Sequence, residues 1–223
     1  MIVLVEREDK VIPLRMEENL DMPLKQVLNI IQNRIMTKST YFGVKAVKSP
    51  LDLWIYQEII FETKPDVLIE IGNLFGGGTL ALAHFCDSMG KGKVIGLDSR
   101  GARIDSKVRN HPRVVLMQGD ACDLYDKVAA LVSEKDSVLV IEDSSHSYEN
   151  TLNVLQKYSR LIKPNNYIIV EDSICHHGLD VGPFPGPYEA INTFIEGNKN
   201  FVIDRSKEFF ITWNPKGYIK RIV

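Results

Sequence analysis

The pattern of apolar and polar positions changes at about residue 65 of the chain. From there, short runs rich in Val, Ile and Leu alternate with longer stretches whose apolar residues recur at helical spacing. The predicted strands are 67–71, 93–97, 113–117, 137–141 and 167–170, and the predicted helices lie near 77–89, 123–132, 148–161 and 188–196. This alternation indicates an α/β fold with a doubly wound, mostly parallel sheet. Two final runs, 201–204 and 209–213, predict a hairpin that adds an antiparallel edge.

The first 64 residues lack this alternation and are predicted to form an appendage to the α/β domain of residues 65–223. Its expected role is contact with a substrate or with a second subunit. The elements predicted within it are a hairpin of the runs 2–5 and 11–14, a helix over 24–36, a loop at 41–44 and a helix from Pro50 to about Glu62.

Composition and charge narrow the class of protein. The net charge is −2, and the Lys and Arg residues are dispersed, so neither nucleic acid nor an anionic membrane is an expected partner. Cys86, Cys122 and Cys175 are odd in number and have no paired spacing, which suits a reducing compartment. The first residues are too acidic for a signal peptide, and no apolar run approaches membrane-spanning length. We therefore expect a cytoplasmic protein.

Two of the predicted strands run into the same three residue types. The run 137–141 is followed by Glu142, Asp143 and Ser144, and the run 167–170 is followed by Glu171, Asp172 and Ser173. The carboxyl ends of parallel strands meet at one edge of a sheet, which is where ligands bind in open α/β folds. Carboxylates gathered there repel each other, so a bound cation is the simplest reason to keep them together.

A glycine-rich turn follows the first predicted strand. Its residues are Gly72, Gly76, Gly77, Gly78 and Thr79, and the acidic residue Glu70 precedes it. Glycine allows a sharp turn and a close approach of the backbone to a ligand. The spacing does not match the dinucleotide pattern G-x-G-x-x-G, and Glu70 suits the amino group of a methionine-type ligand better than a pyrophosphate. The alternative is that the glycines only pack a helix against the sheet.

Acidic residues also follow the second and third predicted strands. Asp98 lies 26 residues after Gly72, where nucleoside-binding α/β folds carry a carboxylate for the ribose hydroxyls. Asp120, followed by Ala121, is placed to receive an adenine amino group. Either aspartate alone is better explained as a helix cap or a turn residue. The ends of the first three predicted strands all carry the expected residue types, namely the glycine turn, Asp98 and Asp120. We therefore favour a nucleoside site.

At this point the chain resembles a class I S-adenosylmethionine-dependent methyltransferase, and more narrowly the cephalosporin hydroxylase/rhamnosyl O-methyltransferase family. The resemblance extends over about residues 40–220. Its main motifs are Pro50-Leu51-Asp52-Leu53-Trp54, Glu70-Ile71-Gly72, Gly76-Gly77-Gly78-Thr79, Ile95-Gly96-Leu97-Asp98, Asp143-Ser144-Ser145-His146 and Gly186-Pro187-Tyr188-Glu189-Ala190.

The resemblance implies a Rossmann-like, seven-stranded methyltransferase sheet with an antiparallel last strand and N-terminal helices. It implies that S-adenosylmethionine (SAM) is bound by the glycine turn, Asp98 and Asp120. It also implies a divalent ion, usually Mg²⁺, held by Asp143, Glu171 and Asp172. The substrate is not inherited from the resemblance, because residues 1–40 have no match in the family.

Asp143 and His146 are the candidate catalytic residues. A substrate hydroxyl on the metal becomes more acidic, and His146 is placed to accept its proton. An equally good interpretation makes His146 a solvent-facing residue at the start of a helix. Glu142 has the opposite side-chain parity to Asp143 and is expected to lie away from the metal. Glu171 and Asp172 would face opposite ways in a regular strand, so both reach one ion only if the strand of residues 167–170 has already ended.

The long segment from Ser173 to Pro187 is predicted to be a loop that covers the site. Within it, Cys175-His176-His177 raises the alternative of a transition-metal site, which we disfavour because adjacent side chains diverge. The aromatic residues Phe184 and Tyr188 are expected either to contact the substrate or to anchor the loop.

The sequence therefore predicts a SAM-dependent, Mg²⁺-assisted O-methyltransferase acting on a hydroxyl of a sugar, polysaccharide or secondary metabolite. One alternative is an NAD-linked sugar-modifying enzyme, and another is an inactive partner protein with a methyltransferase fold. A homo-oligomer is also predicted, because Trp54 and Tyr56 in the second helix are apolar enough to cover a neighbouring subunit. They would equally well cover the protein's own sheet.

Overall fold

The computed structural model describes residues 15–100 and 103–223. The hairpin predicted from the runs 2–5 and 11–14 lies outside the described residues. A helix α1 (Leu24–Lys38) comes first, followed by a two-stranded antiparallel ladder of β1 (Thr40–Tyr41) and β2 (Val44–Lys45). The predicted loop at 41–44 is thus the turn of a small hairpin. Phe42 and Gly43 both have positive φ, as the two central residues of a tight hairpin turn require.

Helix α2 (Pro50–Thr63) has clear signals at both ends. The Ser49 side chain accepts a hydrogen bond from the Asp52 amide at 3.3 Å, and Pro50 occupies the first helical position. Lys64, in a left-handed conformation, ends the helix. The sequence prediction for this helix is correct to within one residue at its C-terminal end.

The main sheet has seven strands: β3 (Val67–Ile71), β4 (Lys93–Asp98), β5 (Val114–Gln118), β6 (Val138–Glu142), β7 (Tyr167–Val170), β8 (Phe201–Ile203) and β9 (Tyr218–Arg221). Their order in the sheet is β5-β4-β3-β6-β7-β9-β8. Strands β3 to β7 are parallel, whereas β9 pairs antiparallel with both β7 and β8. This arrangement confirms the predicted fold class.

Helices cover both faces of the sheet. They are α3 (Gly77–Met89), α4 (Ser106–Arg109), α5 (Ala121–Ala129), α6 (Tyr148–Tyr158) and α7 (Pro187–Gly197). Buried side chains of α5, α6 and α7 pack with one set of alternating strand residues, and those of α2 and α3 pack with the other set. Helix α2 therefore contributes to the core of the sheet, although the sequence pattern assigned it to an appendage. Within the described residues, no helix combines the length and apolar character needed to cross a membrane.

The strand predicted at 209–213 is wrong. The side chains of Phe209, Phe210 and Ile211 are exposed, and the residues that follow bind α2 instead of a neighbouring strand. The Asp52 carboxylate accepts hydrogen bonds from the Thr212 hydroxyl and from the backbone amide of the next residue. The true partner of β8 is β9, which lies further along the chain.

Candidate functional site

The carboxyl ends of β3, β6 and β7 bring three turns together. The Asp143 amide donates to the Ile71 carbonyl at 2.8 Å, and the Glu171 amide donates to the Glu142 carbonyl at 2.9 Å. The parallel ladder thus extends one residue beyond each strand. As a result, Gly72, Asp143 and Glu171 lie at the same edge of the sheet.

The first glycine of the turn has no room for a side chain. Gly72 has φ +91°, and a Cβ there would overlap the Asp143 backbone carbonyl. Gly76, with φ +89°, is the N-cap of α3 and packs against the side chain of Val108. The turn therefore packs directly against the end of β6, a contact that the glycine pattern alone did not specify.

Side-chain alternation sorts the acidic residues by face. Leu68, Leu139 and Ile169 point toward α2 and α3, so residues in phase with them point the same way. Those in-phase residues are Glu70, Asp143 and Glu171. Glu142 has the opposite phase, and its Oε1 accepts a hydrogen bond from the Ser144 hydroxyl at 2.7 Å. It lies apart from the other three acids, as its parity indicated.

Lys48 occupies the centre of these three acids. Its Nζ lies 2.6 Å from Asp143 Oδ2, 2.6 Å from Glu171 Oε1 and 3.3 Å from Glu70 Oε1. Only 6% of the residue is exposed. Glu70 is fully buried and also accepts a hydrogen bond from the Thr79 hydroxyl, while its Oε1 has no hydrogen-bond partner among the described residues. The sequence did not predict a lysine that forms salt bridges with Glu70, the acid expected to contact the cofactor, and with two of the acids expected to bind the metal.

On the solvent side of the acids, His146 approaches two carboxylates. Its Nε2 lies 3.3 Å from Asp172 Oδ2 and 3.8 Å from Asp143 Oδ1. Among the described residues, these three form one group whose ligand atoms lie within 4.8 Å of one another. Strand β7 has ended at Val170, and Asp172 has φ +56°. The strand has therefore ended before Glu171 and Asp172, which is the condition required for both carboxylates to reach one cation.

Burial and mutual repulsion govern the charges of this cluster. Burial raises the pKa of Asp143 to about 7, and the charge of Asp172 adds to the shift while Lys48 opposes it. Burial and the charge of Asp143 also raise the pKa of Glu171. Burial alone would lower the pKa of Lys48, but the carboxylates outweigh it and hold that pKa above its ordinary value. One ammonium group thus leaves negative charge uncompensated.

The donor set fits a hard divalent cation such as Mg²⁺. Asp143, Glu171 and Asp172 all offer carboxylate oxygens, which Mg²⁺ and Ca²⁺ prefer. A cation would also offset both causes of the raised pKa of Asp143, its burial and the nearby charge of Asp172. The group of ligand atoms that lie within 4.8 Å of one another nevertheless contains His146 and not Glu171. The Oε1 of Glu171 is bound by Lys48.

The two aspartates that are predicted to bind the nucleoside accept hydrogen bonds from backbone amides. Asp98 accepts hydrogen bonds from the amides of Leu74 and Arg100, at 2.9 and 2.7 Å, and so ties the end of β4 to the glycine turn. Asp120 is the N-cap of α5 and accepts from the Cys122 amide at 2.8 Å. Turn and cap roles are therefore present for both aspartates, and their contacts with a cofactor stay predictions.

The loop after β7 is held by Glu189. Its carboxylate binds the His177 ring at 2.6 Å and accepts from the Gly186 amide at 2.8 Å. The His177 ring stacks on Tyr188 with 3.7 Å between the ring centroids. The residues Cys175, His176 and His177 form no group of metal ligands in the described part of the chain. This argues against the transition-metal alternative.

Comparison with known proteins identifies the family. Residues 33–222 match the family model described as Rhamnosyl O-methyltransferase/CmcI. The chain belongs to this family. It is 32% identical over 197 residues to the rhamnosyl O-methyltransferase of Mycobacterium bovis, covering 85% of this chain and 80% of the relative. The rhamnosyl O-methyltransferase of Mycobacterium leprae is 29% identical over 197 residues, covering 85% of this chain and 86% of the relative.

Solved structures of O-methyltransferases share the fold. A structure of CmcI with Mg and SAM has a TM-score of 0.67 at 20% identity and covers 84% of this chain and 78% of its own. An O-methyltransferase from Bacillus cereus in complex with SAH has a TM-score of 0.54 at 19% identity and covers 89% of this chain and 84% of its own. Family and fold together confirm the prediction of an O-methyltransferase.

Two residues that the sequence did not single out lie in the candidate site. Lys48 precedes α2, and no motif spacing connects it with the acids that it contacts, two of which lie 95 and 123 positions further along the chain. Asn214 is buried beside the cluster, where its Oδ1 accepts a hydrogen bond from the Asp172 amide at 3.1 Å. The only available signal was indirect, because several carboxylates at one sheet edge require a compensating cation.

Proposed function

We propose that this chain transfers the methyl group of SAM to a hydroxyl group of a sugar unit, assisted by a divalent cation. The observation that carries the proposal is the convergence of the glycine turn and the acidic cluster at one edge of the sheet. The rhamnosyl acceptor in the names of the mycobacterial relatives supports a sugar, either in a polysaccharide or in a secondary metabolite.

The cofactor is proposed to lie along the turn between β3 and α3. Its predicted contacts are with the glycine turn, the ribose-binding Asp98, and Asp120 with Ala121 at the start of α5. The CmcI structure with Mg and SAM and the Bacillus cereus enzyme with SAH support a cofactor of this type. The predicted contact of Glu70 with the amino group of SAM needs a rearrangement, because this carboxylate is buried beneath the turn.

Methyl transfer forms a bond between the acceptor oxygen and the methyl carbon and breaks the bond from that carbon to sulfur. The cation, proposed at Asp143, Glu171 and Asp172, would make a bound hydroxyl more acidic. His146 Nε2 faces the same carboxylates and is proposed to accept the hydroxyl proton. The loop after β7 lies against this residue, since a Cβ on Gly186 would sit 3.5 Å from the His146 carbonyl oxygen.

Calorimetric titration with SAM is the direct test of this proposal. We expect saturable binding, followed by methylation of a rhamnose-containing acceptor that stops when EDTA removes the cation. Absence of binding at millimolar SAM would contradict the proposal. Binding of a nicotinamide cofactor would favour the NAD-linked alternative, and a stable complex with another protein without cofactor uptake would favour the inactive-partner alternative.

Three further expectations stay predictions. They are the cytoplasmic location, the homo-oligomer and the division of the chain at residue 64. The homo-oligomer was predicted from two residues of α2, and the structure leaves one of them exposed. Tyr56 is buried against the protein's own sheet, whereas 59% of Trp54 is exposed, so Trp54 is the one of these two residues that is available to contact another subunit.

A further inference from the structure

Lys48 reaches the acidic cluster through a space that the sequence keeps free. The residue lies just before α2, and its side chain runs beneath the start of α3. A Cβ on Gly78 would overlap Lys48 Cε and Glu70 Oε1, so a larger residue there would displace the lysine. The ammonium group is therefore confined by packing as well as by charge.

The contacts of Lys48 divide the oxygens of two acids. Its Nζ binds Oδ2 of Asp143 and Oε1 of Glu171, each at 2.6 Å. Asp143 Oδ1 is outside this pairing and lies 3.8 Å from His146 Nε2, which in turn lies 3.3 Å from Asp172 Oδ2. Glu171 Oε2 is also outside it. Because the Lys48 ammonium binds a single oxygen of each carboxylate, the second oxygen of each is left for another ligand.

We propose that Lys48 is the positioning residue of the divalent-cation site. Its ammonium holds Asp143 and Glu171 side by side, so that their remaining oxygens and Asp172 bind the cation. This inference rests on the metal site of the proposed function. It differs from a simple competition, in which Lys48 would fill the place of the cation and leave when the cation arrives.

Replacement of the lysine separates these two roles. In Lys48→Met, we expect the affinity for Mn²⁺, measured by electron paramagnetic resonance, to fall about 10- to 100-fold, the range for lost partners of metal ligands. The matched control is Lys91→Met, which removes the ammonium from an ion pair with Asp66 at 2.7 Å, at the amino ends of the strands. We expect wild-type affinity in that variant.

A second measurement uses the wild-type protein, because Lys48→Met leaves buried carboxylates without a partner and need not fold. Amine acylation followed by mass spectrometry reports how accessible each lysine is. We expect Lys48 to be protected compared with exposed lysines, both without Mg²⁺ and with saturating Mg²⁺. Acylation of Lys48 that increases when Mg²⁺ is added would overturn the proposal in favour of competition.

The remaining outcomes also decide the matter. Equal or tighter Mn²⁺ binding in folded Lys48→Met would overturn the role of Lys48 and leave the proposed function intact. A wild-type protein that binds SAM but no divalent cation would overturn both the metal site and this inference, while the methyltransferase assignment would stand. A wild-type protein that binds the cation but not SAM would contradict the proposed function alone.

Discussion

At the scale of single residues, the site depends on positions where a side chain is excluded. Gly72 combines a positive φ with a position so close to the end of β6 that an added Cβ would overlap the Asp143 carbonyl. Gly78 leaves the space that Lys48 crosses. The sequence predicted a role for these glycines in a sharp turn near a ligand. What they lie next to, a carbonyl in one case and a lysine in the other, depends on contacts across the fold that the sequence does not specify.

The substitution Gly72→Ala tests this excluded space. A Cβ there both strains the backbone and pushes against the Asp143 carbonyl, so we expect a loss of stability of about 1–3 kcal/mol and weaker cation binding. Chemical denaturation and Mn²⁺ titration measure the two effects. Gly90→Ala is the matched control, because Gly90 has φ +69° but no atom within 4 Å of its added Cβ. Equal losses in both variants would show that contact with β6 is unimportant.

At the scale of elements, the segment 212–214 connects α2 with the turn after β7. The Asp52 carboxylate of α2 holds this segment through its hydrogen bonds with Thr212 and the Trp213 amide. Asn214 then continues the connection, since its Nδ2 donates to Tyr56 at 2.8 Å while its Oδ1 accepts from the Asp172 amide. This explains why an apolar, aromatic run predicted as a strand serves instead as a support for the site.

Replacement of Asn214 by Ala tests that support. It leaves the buried Tyr56 hydroxyl and the Asp172 amide without partners, which costs about 1–3 kcal/mol for each such group. We expect lower stability and weaker binding of the divalent cation, because Asp172 is no longer fixed in its left-handed conformation. Tyr56→Phe is the control, since it removes the partner of Nδ2 only. If both variants bind Mn²⁺ like the wild type, the connection does not position Asp172.

At the scale of the whole molecule, the sequence predicted most elements but only part of the site. Strands β3 and β7 end where their apolar runs end, because burial on both faces of a parallel sheet leaves a clear signal. Strand β9 was missed, since only Tyr218 and Ile219 of its residues are buried. Lys48 was missed as well, because a contact across the fold leaves no periodic pattern in the chain.

The acidic cluster as a whole predicts how cation binding depends on pH. The folded-state pKa of Asp143, about 7, lies above the ordinary value of 3.8, so the folded protein binds this proton more tightly than the unfolded chain. Without a metal, the free energy of unfolding therefore falls as the pH rises from 3.8 to about 7. A divalent cation favours the ionised carboxylate, so its stabilising effect should be greater at pH 8 than at pH 6.

Thermal denaturation with and without Mg²⁺ measures this difference. At a concentration 100 times the dissociation constant, we expect the cation to raise Tm at pH 8 by roughly 5–10 °C. The rise should be smaller at pH 6 for the same concentration. Asp143→Asn is the comparison, because Lys48, Glu171, Asp172 and His146 still face the substituted position while the titrating carboxylate is gone. A rise that is equal at both pH values in the wild type would mean that Asp143 does not bind the cation in its ionised form.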